Sequence, residues 1–265
     1  MKRCFCLIAA MLAAAADKAK AALAKGVTPE LIADKRYVRR GCVLEDHESF
    51  DAGFFDMSPR EAEITNPQHR VFLQAAWEAL EHAGYVPESY DGSIGLFAGA
   101  GHNNHAHIHP DLTGVEYLQC LVGNEHDYLT TRTAFKLGLT GPALNIQTAC
   151  STSLVAIHAA CQALMSGQCD MAVAGGISIS WPEGRGYLYG EGLIFSEDGK
   201  CRVFDARASG TVFAIYKVDG GTTWLVESRN GSTVTRNTSS TTAGGSARKR
   251  PSSTLPLRKM LRQRA

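Results

Sequence analysis

The run Thr148-Ala149-Cys150-Ser151-Thr152-Ser153 places one thiol among four hydroxyls. A short apolar segment, Ala143-Leu144-Asn145-Ile146, precedes it and a long apolar one follows, so the pattern predicts strand, sharp turn, helix, with Cys150 on the turn. At the start of a helix the dipole favours thiolate, the nucleophilic form of cysteine. Unpartnered backbone N–H groups there, that of Cys150 included, suit an oxyanion forming on a thioester carbonyl. The chemistry indicated is acyl transfer onto sulfur, with Cys150 as acceptor and Thr148, Ala149, Ser151, Thr152 and Ser153 shaping the turn. The competing reading is a buried structural cysteine, a common fate of this residue type.

The elements that must hold Cys150 follow from periodicity. Leu154, Ile157, Cys161 and Leu164 recur at helical spacing and predict a buried face on the helix after the turn. The hydroxyls of Ser151, Thr152 and Ser153 fall where they would cap its first N–H groups. Residues 169–180 read as a central strand, so strand, helix and strand imply a right-handed crossover and a parallel pair. Residues 93–101 read as a buried strand. A helix over 71–82 places Leu73, Ala76, Trp77 and Leu80 on one face, with Gly84 after it. Thr28 and Pro29 open a capped helical turn.

Two histidine features bear on the chemistry. His102, His105, His107 and His109 alternate in a way that invites a metal. No Cys, Asp or Glu lies among them and Asn103, Asn104 and Pro110 suit a solvated loop, so no metal site is expected. His158, two helical turns past Cys150 and beside the predicted buried stripe, reads as a satisfied core histidine.

Bulk properties bound the remainder. The 265 residues carry a formal charge of +1, and 231–265 hold eight Lys or Arg with no Asp or Glu, so 1–230 carry 1 − 8 = −7. A mildly acidic body bears a basic, Ser/Thr-rich tail that is expected to be disordered. Solvation explains such a tail better than a nucleic-acid arm, and no nucleic-acid partner is expected. Eight cysteines without a C-x-x-C pair suit reduced thiols and a cytoplasmic location. The apolar run 4–16 is too short for a bilayer, so no membrane partner is expected. A basic start and a short apolar core also describe a secretory signal; the helix-forming composition of 11–25, ended by Gly26, favours an ordinary helix.

Thr148-Ala149-Cys150-Ser151-Thr152-Ser153-Leu154 resembles the active-site motif of β-ketoacyl synthases, the condensing enzymes of polyketide and fatty acid synthesis, with Gln147 where many members have Asp. The resemblance covers about residues 26–213. It includes Phe50-Asp51-Ala52-Gly53-Phe54-Phe55, Ser58-Pro59-Arg60-Glu61-Ala62, Asn66-Pro67-Gln68-His69-Arg70 and Asp198-Gly199-Lys200-Cys201-Arg202-Val203-Phe204-Asp205-Ala206-Arg207. The Ser58 and Asn66 segments lean toward the modular polyketide type. Residues 1–25 read as an atypical extension and 214–265 as a divergent, disordered tail. A change of reading frame or a mis-joined exon after Phe213 is the simplest account expected for the switch.

The resemblance implies a thiolase-like fold: layered α/β, with a mixed sheet covered by helices. It implies that Cys150 takes an acyl group from the phosphopantetheine arm of an acyl carrier protein for decarboxylative Claisen condensation, with no cofactor bound directly. It implies a homodimer, to which 124–142 contribute, or pairing with an intact synthase. The family's two catalytic histidines lie in His-Gly-Thr-Gly and Gly-His motifs of its second half; no His-Gly-Thr-Gly run occurs here, and the Gly-His pair at Gly101-His102 lies ahead of Cys150, so none of the nine histidines is matched to either. Acylation of Cys150 without condensation is therefore expected. The alternative is a non-catalytic fragment that pairs with an intact synthase as scaffold or decoy.

Overall fold

The apolar run at 93–101 forms strand β2, Ile94–Ala100, buried along its whole length. In the computed structural model, residues 26–41, 48–103, 105, 111–179, 185–202, 204–212, 224–229 and 232–237 are described, the last two segments as backbone strands. The expectations for 1–25, for His107 and His109, for 213–223 and for 238–265 lie outside these residues.

Two compact units divide the chain: Met1–His47 with Ser178–Lys217, and Glu48–Ile177 with Val218–Ala265. In the first, helix α1 (Pro29–Ala33) opens as expected: Thr28 accepts a bond from the N–H of Leu31 at 3.3 Å and Pro29 stands in the first turn. Strand β1 (Tyr37–Val38) pairs antiparallel with β5 (Tyr187–Leu188). The Tyr187 hydroxyl donates to the carbonyl of the fully buried Ser196 at 2.6 Å.

The second unit contains helices α2 (Pro59–Ile64) and α3 (Pro67–His82), then β2, α4 (Gly114–Asn124) and α5 (Leu129–Leu137). These are followed by β3 (Ala143–Asn145), α6 (Thr152–Met165), β4 (Met171–Ile177), β6 (Trp224–Arg229) and β7 (Ser232–Asn237). The strands order β3-β2-β4-β6-β7. The first three run parallel and β6 and β7 antiparallel, so the sheet is mixed. A fully buried apolar strand is what a parallel sheet covered on both faces requires. Phe97, Ala172 and Ala174 face α6, while the alternating Leu96 and Val173, also fully buried, belong to the opposite face, where α3 and α5 pack.

The structure departs from the sequence reading in four places. β3 and β4 are parallel but not neighbours, because β2 lies between them. α3 begins at Pro67 rather than at 71, since Asn66 caps it by accepting from the N–H of Gln68 at 2.9 Å and Pro67 suits its first turn. Part of the expected disordered tail is strand: 224–229 pairs with β4 and 232–237 with β6. The missed signal was two β-rich runs separated by Asn230-Gly231, the pair most favoured between hairpin strands.

The fourth departure is the buried face of α6. Leu154 is 71% exposed, Ile157 and Cys161 are half-buried, and of the four predicted residues Leu164 alone is buried. The buried residues of the helix are Thr152, Ala156, Ala160, Ala163 and Leu164, with alanine at three of the five positions. α6 is apolar around most of its circumference, so spacing does not choose a face. The alanines let the helix close onto Phe97, Ala172 and Ala174 at a distance that larger side chains would prevent.

Candidate active site

β3 is three residues long and lies at the sheet edge, held by β2 in the register Leu96↔Ala143 to Ala98↔Asn145. The chain stays on the sheet for one more residue, where the N–H of Ile146 donates to the Ala98 carbonyl at 2.8 Å. It then turns through Gln147 and Thr148 into a single 3-10 turn, Ala149–Ser151, which runs directly into α6. Cys150 is the middle residue of that turn and its thiol is free and exposed. The buried-structural-cysteine reading is thereby excluded.

Three of the six residues singled out in the sequence, Thr148, Ser151 and Thr152, are tied into one knot around Cys150. The N–H of Thr148 donates to Oγ1 of Thr152 at 3.0 Å. The hydroxyl and the N–H of Ser151 both donate to the Thr148 carbonyl, at 2.8 and 3.2 Å. The expected capping is therefore corrected: the hydroxyls bind the backbone of Thr148, and Ser151, at the N-cap position, makes no side-chain cap bond. The reason is the 3-10 turn, which extends the helical path back past Cys150 and leaves Thr148 as the polar backbone within reach. Ser153 packs its side chain toward β4 at Gly176.

Two features that the sequence reading did not single out shape the turn. Ala149 adopts φ +52°, in the left-handed region that side chains bearing a Cβ seldom enter. Such strain persists when the surroundings over-determine it, and it collects at functional sites. Below the turn, a Cβ on Gly99 would stand 1.9 Å from the Ile146 carbonyl oxygen and 2.7 Å from Cγ2 of Thr152. Only glycine lets the edge strand and the start of α6 close onto β2 there.

Polar anchors lie on the helical side of β3. The Asn145 Nδ2 group donates to the carbonyl of His126, in the 3-10 turn His126–Tyr128 that enters α5. Arg132 of α5 pairs with Glu61 of α2 at 2.7 Å, with both side chains largely shielded. Burial pushes the Arg132 guanidinium down, against the effect of Glu61. His69, on the first turn of α3, is buried with neither ring nitrogen bonded to a group among the described residues. Burial, then the charges of Arg132 and His126, hold its pKa down at about 3, so the ring is neutral at physiological pH.

Two further described histidines, His158 and His105, differ in their surroundings. His158 is exposed on α6, so it is not the core histidine expected, because the helix buries its alanine face instead. His105 is buried, with Nδ1 3.1 Å from Oδ1 of Asn124. Among the described residues no three His, Cys, Asp or Glu side chains cluster as metal ligands. Nor is any described helix long and apolar enough to cross a membrane.

Comparison with known proteins places this turn in context. The family model described as "Beta-ketoacyl synthase, N-terminal domain" matches residues 13–229. The chain is 45% identical over 199 residues to a phenolphthiocerol/phthiocerol polyketide synthase component of Mycobacterium tuberculosis, which takes in 71% of this chain and 13% of that one. It is 44% identical over 179 residues to an erythronolide synthase of Saccharopolyspora erythraea, covering 66% of this chain and 6% of the relative. Among solved structures it resembles ketosynthase twelve of the bacillaene polyketide synthase of Bacillus amyloliquefaciens, with a TM-score of 0.65 and 34% identity over 70% of this chain and 33% of that one. The chain thus spans about an eighth of the first relative and a third of the solved ketosynthase.

Proposed function

This chain belongs to the β-ketoacyl synthase family, with its thiolase-like fold, and we propose that it accepts an acyl group from a carrier-protein thioester onto Cys150. The observation that carries the reading is the free, exposed thiol of Cys150 in a strained turn at the head of α6, inside the segment that matches the family.

The Cys150 thiolate attacks the thioester carbonyl carbon, and the carbonyl π pair moves onto oxygen. The N–H groups of the turn, that of Cys150 among them, stabilise this oxyanion. Collapse of the intermediate restores the carbonyl and breaks the bond to the phosphopantetheine sulfur. That sulfur departs as thiolate and takes up the proton that Cys150 gave up. The acyl group remains on Cys150, and the carrier's phosphopantetheine arm is substrate throughout.

In the family, condensation follows when a malonyl thioester loses CO2 and its carbanion attacks the acyl-cysteine. No His-Gly-Thr-Gly run is in the given sequence and its Gly-His pair, Gly101-His102, precedes Cys150, so acyl-Cys150 is the end point we propose for these residues by themselves. The test incubates the chain with acetyl-loaded carrier protein and measures intact mass. One acetyl per chain is expected, with none on Cys150→Ala and no β-ketoacyl product when malonyl carrier is added. Labelling that survives Cys150→Ala overturns the assignment.

A second reading is favoured by the uncovered apolar side of α6, where Leu154 and Met165 are 71% and 65% exposed, and by Leu144 on the edge strand, 51% exposed. These surfaces suit pairing with a second copy or with an intact synthase, in which the chain acts as scaffold or decoy. Co-purification with a synthase and no acyl label on Cys150 would favour this reading. The free thiols of Cys120, Cys150, Cys161, Cys169 and Cys201 support a cytoplasmic setting for either role.

A further inference from the structure

We propose that Asn145 is a positioning residue for the nucleophile turn, acting through the carbonyl of His126. This role presupposes Cys150 as the acyl acceptor.

β3 ends five residues before Cys150 and, among the described residues, has a strand neighbour on one side only. On that side β2 fixes its register, and the Ile146 N–H extends the grip by one bond. On the other side Asn145 reaches across to the 3-10 turn before α5. That turn is a fixed reference, because α5 is tied to α2 by the shielded Arg132–Glu61 pair.

The orientation of the carboxamide is dictated by its partner. The opposite orientation would set Oδ1 against the His126 carbonyl oxygen, two acceptors facing each other. In the orientation adopted, Oδ1 is buried and bonded to no group among the described residues. An apolar side chain of similar size would avoid that cost. What the amide supplies in return is a donor that joins two segments 19 positions apart in sequence.

Its mechanical consequence falls on Ala149. A residue held at φ +52° relaxes once its flanks are free to move. Upstream of the knot formed by Thr148, Ser151 and Thr152, the chain is pinned by β2 and by Asn145. Loss of the Asn145 bond lets the end of β3 shift, Ala149 leave the left-handed region, and Cys150 move off the head of α6.

The test measures alkylation of Cys150 in the full chain by iodoacetamide, with peptide mass spectrometry to separate Cys150 from the other thiols. Asn145→Asp keeps the shape but offers no donor when ionised. It is expected to lower the second-order rate constant roughly three- to tenfold at pH 8. The ratio to the unmodified chain should recover as pH falls and the carboxyl, protonated, regains an O–H to donate. Asn145→Ala should show a similar deficit at every pH, with no recovery. Far-UV circular dichroism at each pH checks that the chains are folded. An unchanged rate in folded Asn145→Asp and Asn145→Ala overturns the role. So does a deficit in Asn145→Asp that is the same at every pH, or one that tracks the loss of folded chain, since either describes a merely structural residue. Alkylation requires no carrier protein, so absence of acyl transfer would sink the proposed function while leaving this comparison intact.

Discussion

The N–H of Thr148 donates to Oγ1 of Thr152 at 3.0 Å, closing a small ring of chain around Cys150. Thr152 is buried, so its hydroxyl is a replacement for backbone that the 3-10 turn cannot satisfy. Thr152→Val keeps the volume and removes the acceptor. It should cost about 0.5–1.5 kcal/mol in urea unfolding, because the bond from the Thr148 N–H is lost in a turn that is exposed. Wild-type stability in this variant would show that the ring contributes nothing.

Gly99 is where the sheet and the turn come closest. Gly99→Ala would force its methyl to 1.9 Å from the Ile146 carbonyl oxygen, which is backbone and cannot swing aside. The variant should lose about 3 kcal/mol or more and show slowed alkylation of Cys150. Thermal melting combined with thiol labelling checks both. A variant that melts and labels like the parent would mean the approach at Gly99 is not required.

His69 predicts a pH dependence of stability. Its folded pKa of about 3 lies below the ordinary histidine value of 6.5, because burial and the charges of Arg132 and His126 oppose protonation. The unfolded chain therefore binds the extra proton first as pH falls. Stability from this group is fully present above about 6.5 and is lost as pH falls from there toward 3. Roughly 2 kcal/mol should disappear between pH 7.5 and pH 5. His69→Leu should flatten that slope, as read by urea melts at the two pH values. An equal slope in parent and variant would place the pH dependence elsewhere.

The inner face of α6 should respond to size and its outer face should not. Ala160, fully buried in the cluster with Phe97, Ala172 and Ala174, has no room for added methylenes. Ala160→Leu should destabilise by about 1–3 kcal/mol. Leu154→Ala, at a site 71% exposed, should change stability by less than about 0.5 kcal/mol. Reversal of that order in chemical denaturation would mean that Leu154, not the alanine stripe, is the packed face.

Local chemistry alone was enough to place the strand at 94–100, the turn at Cys150 and the helix after it. A fully apolar run, a Thr/Ser-rich turn and a long apolar helix leave few other arrangements. The thiol and its neighbouring hydroxyls were legible for the same reason, since they lie within six consecutive positions. The tertiary structure decided whatever depends on a neighbour distant in sequence. On an almost wholly apolar helix, the buried face is set by the sheet it meets, and close approach to Phe97 selects alanine over leucine. The left-handed Ala149 carries no signature of its own, because it is imposed by anchors on either side. The bond from Asn145 to His126 spans two elements, and no spacing along the chain announces it. Packing also turned His158 outward, since the side that faces the sheet is fixed by volume rather than by period.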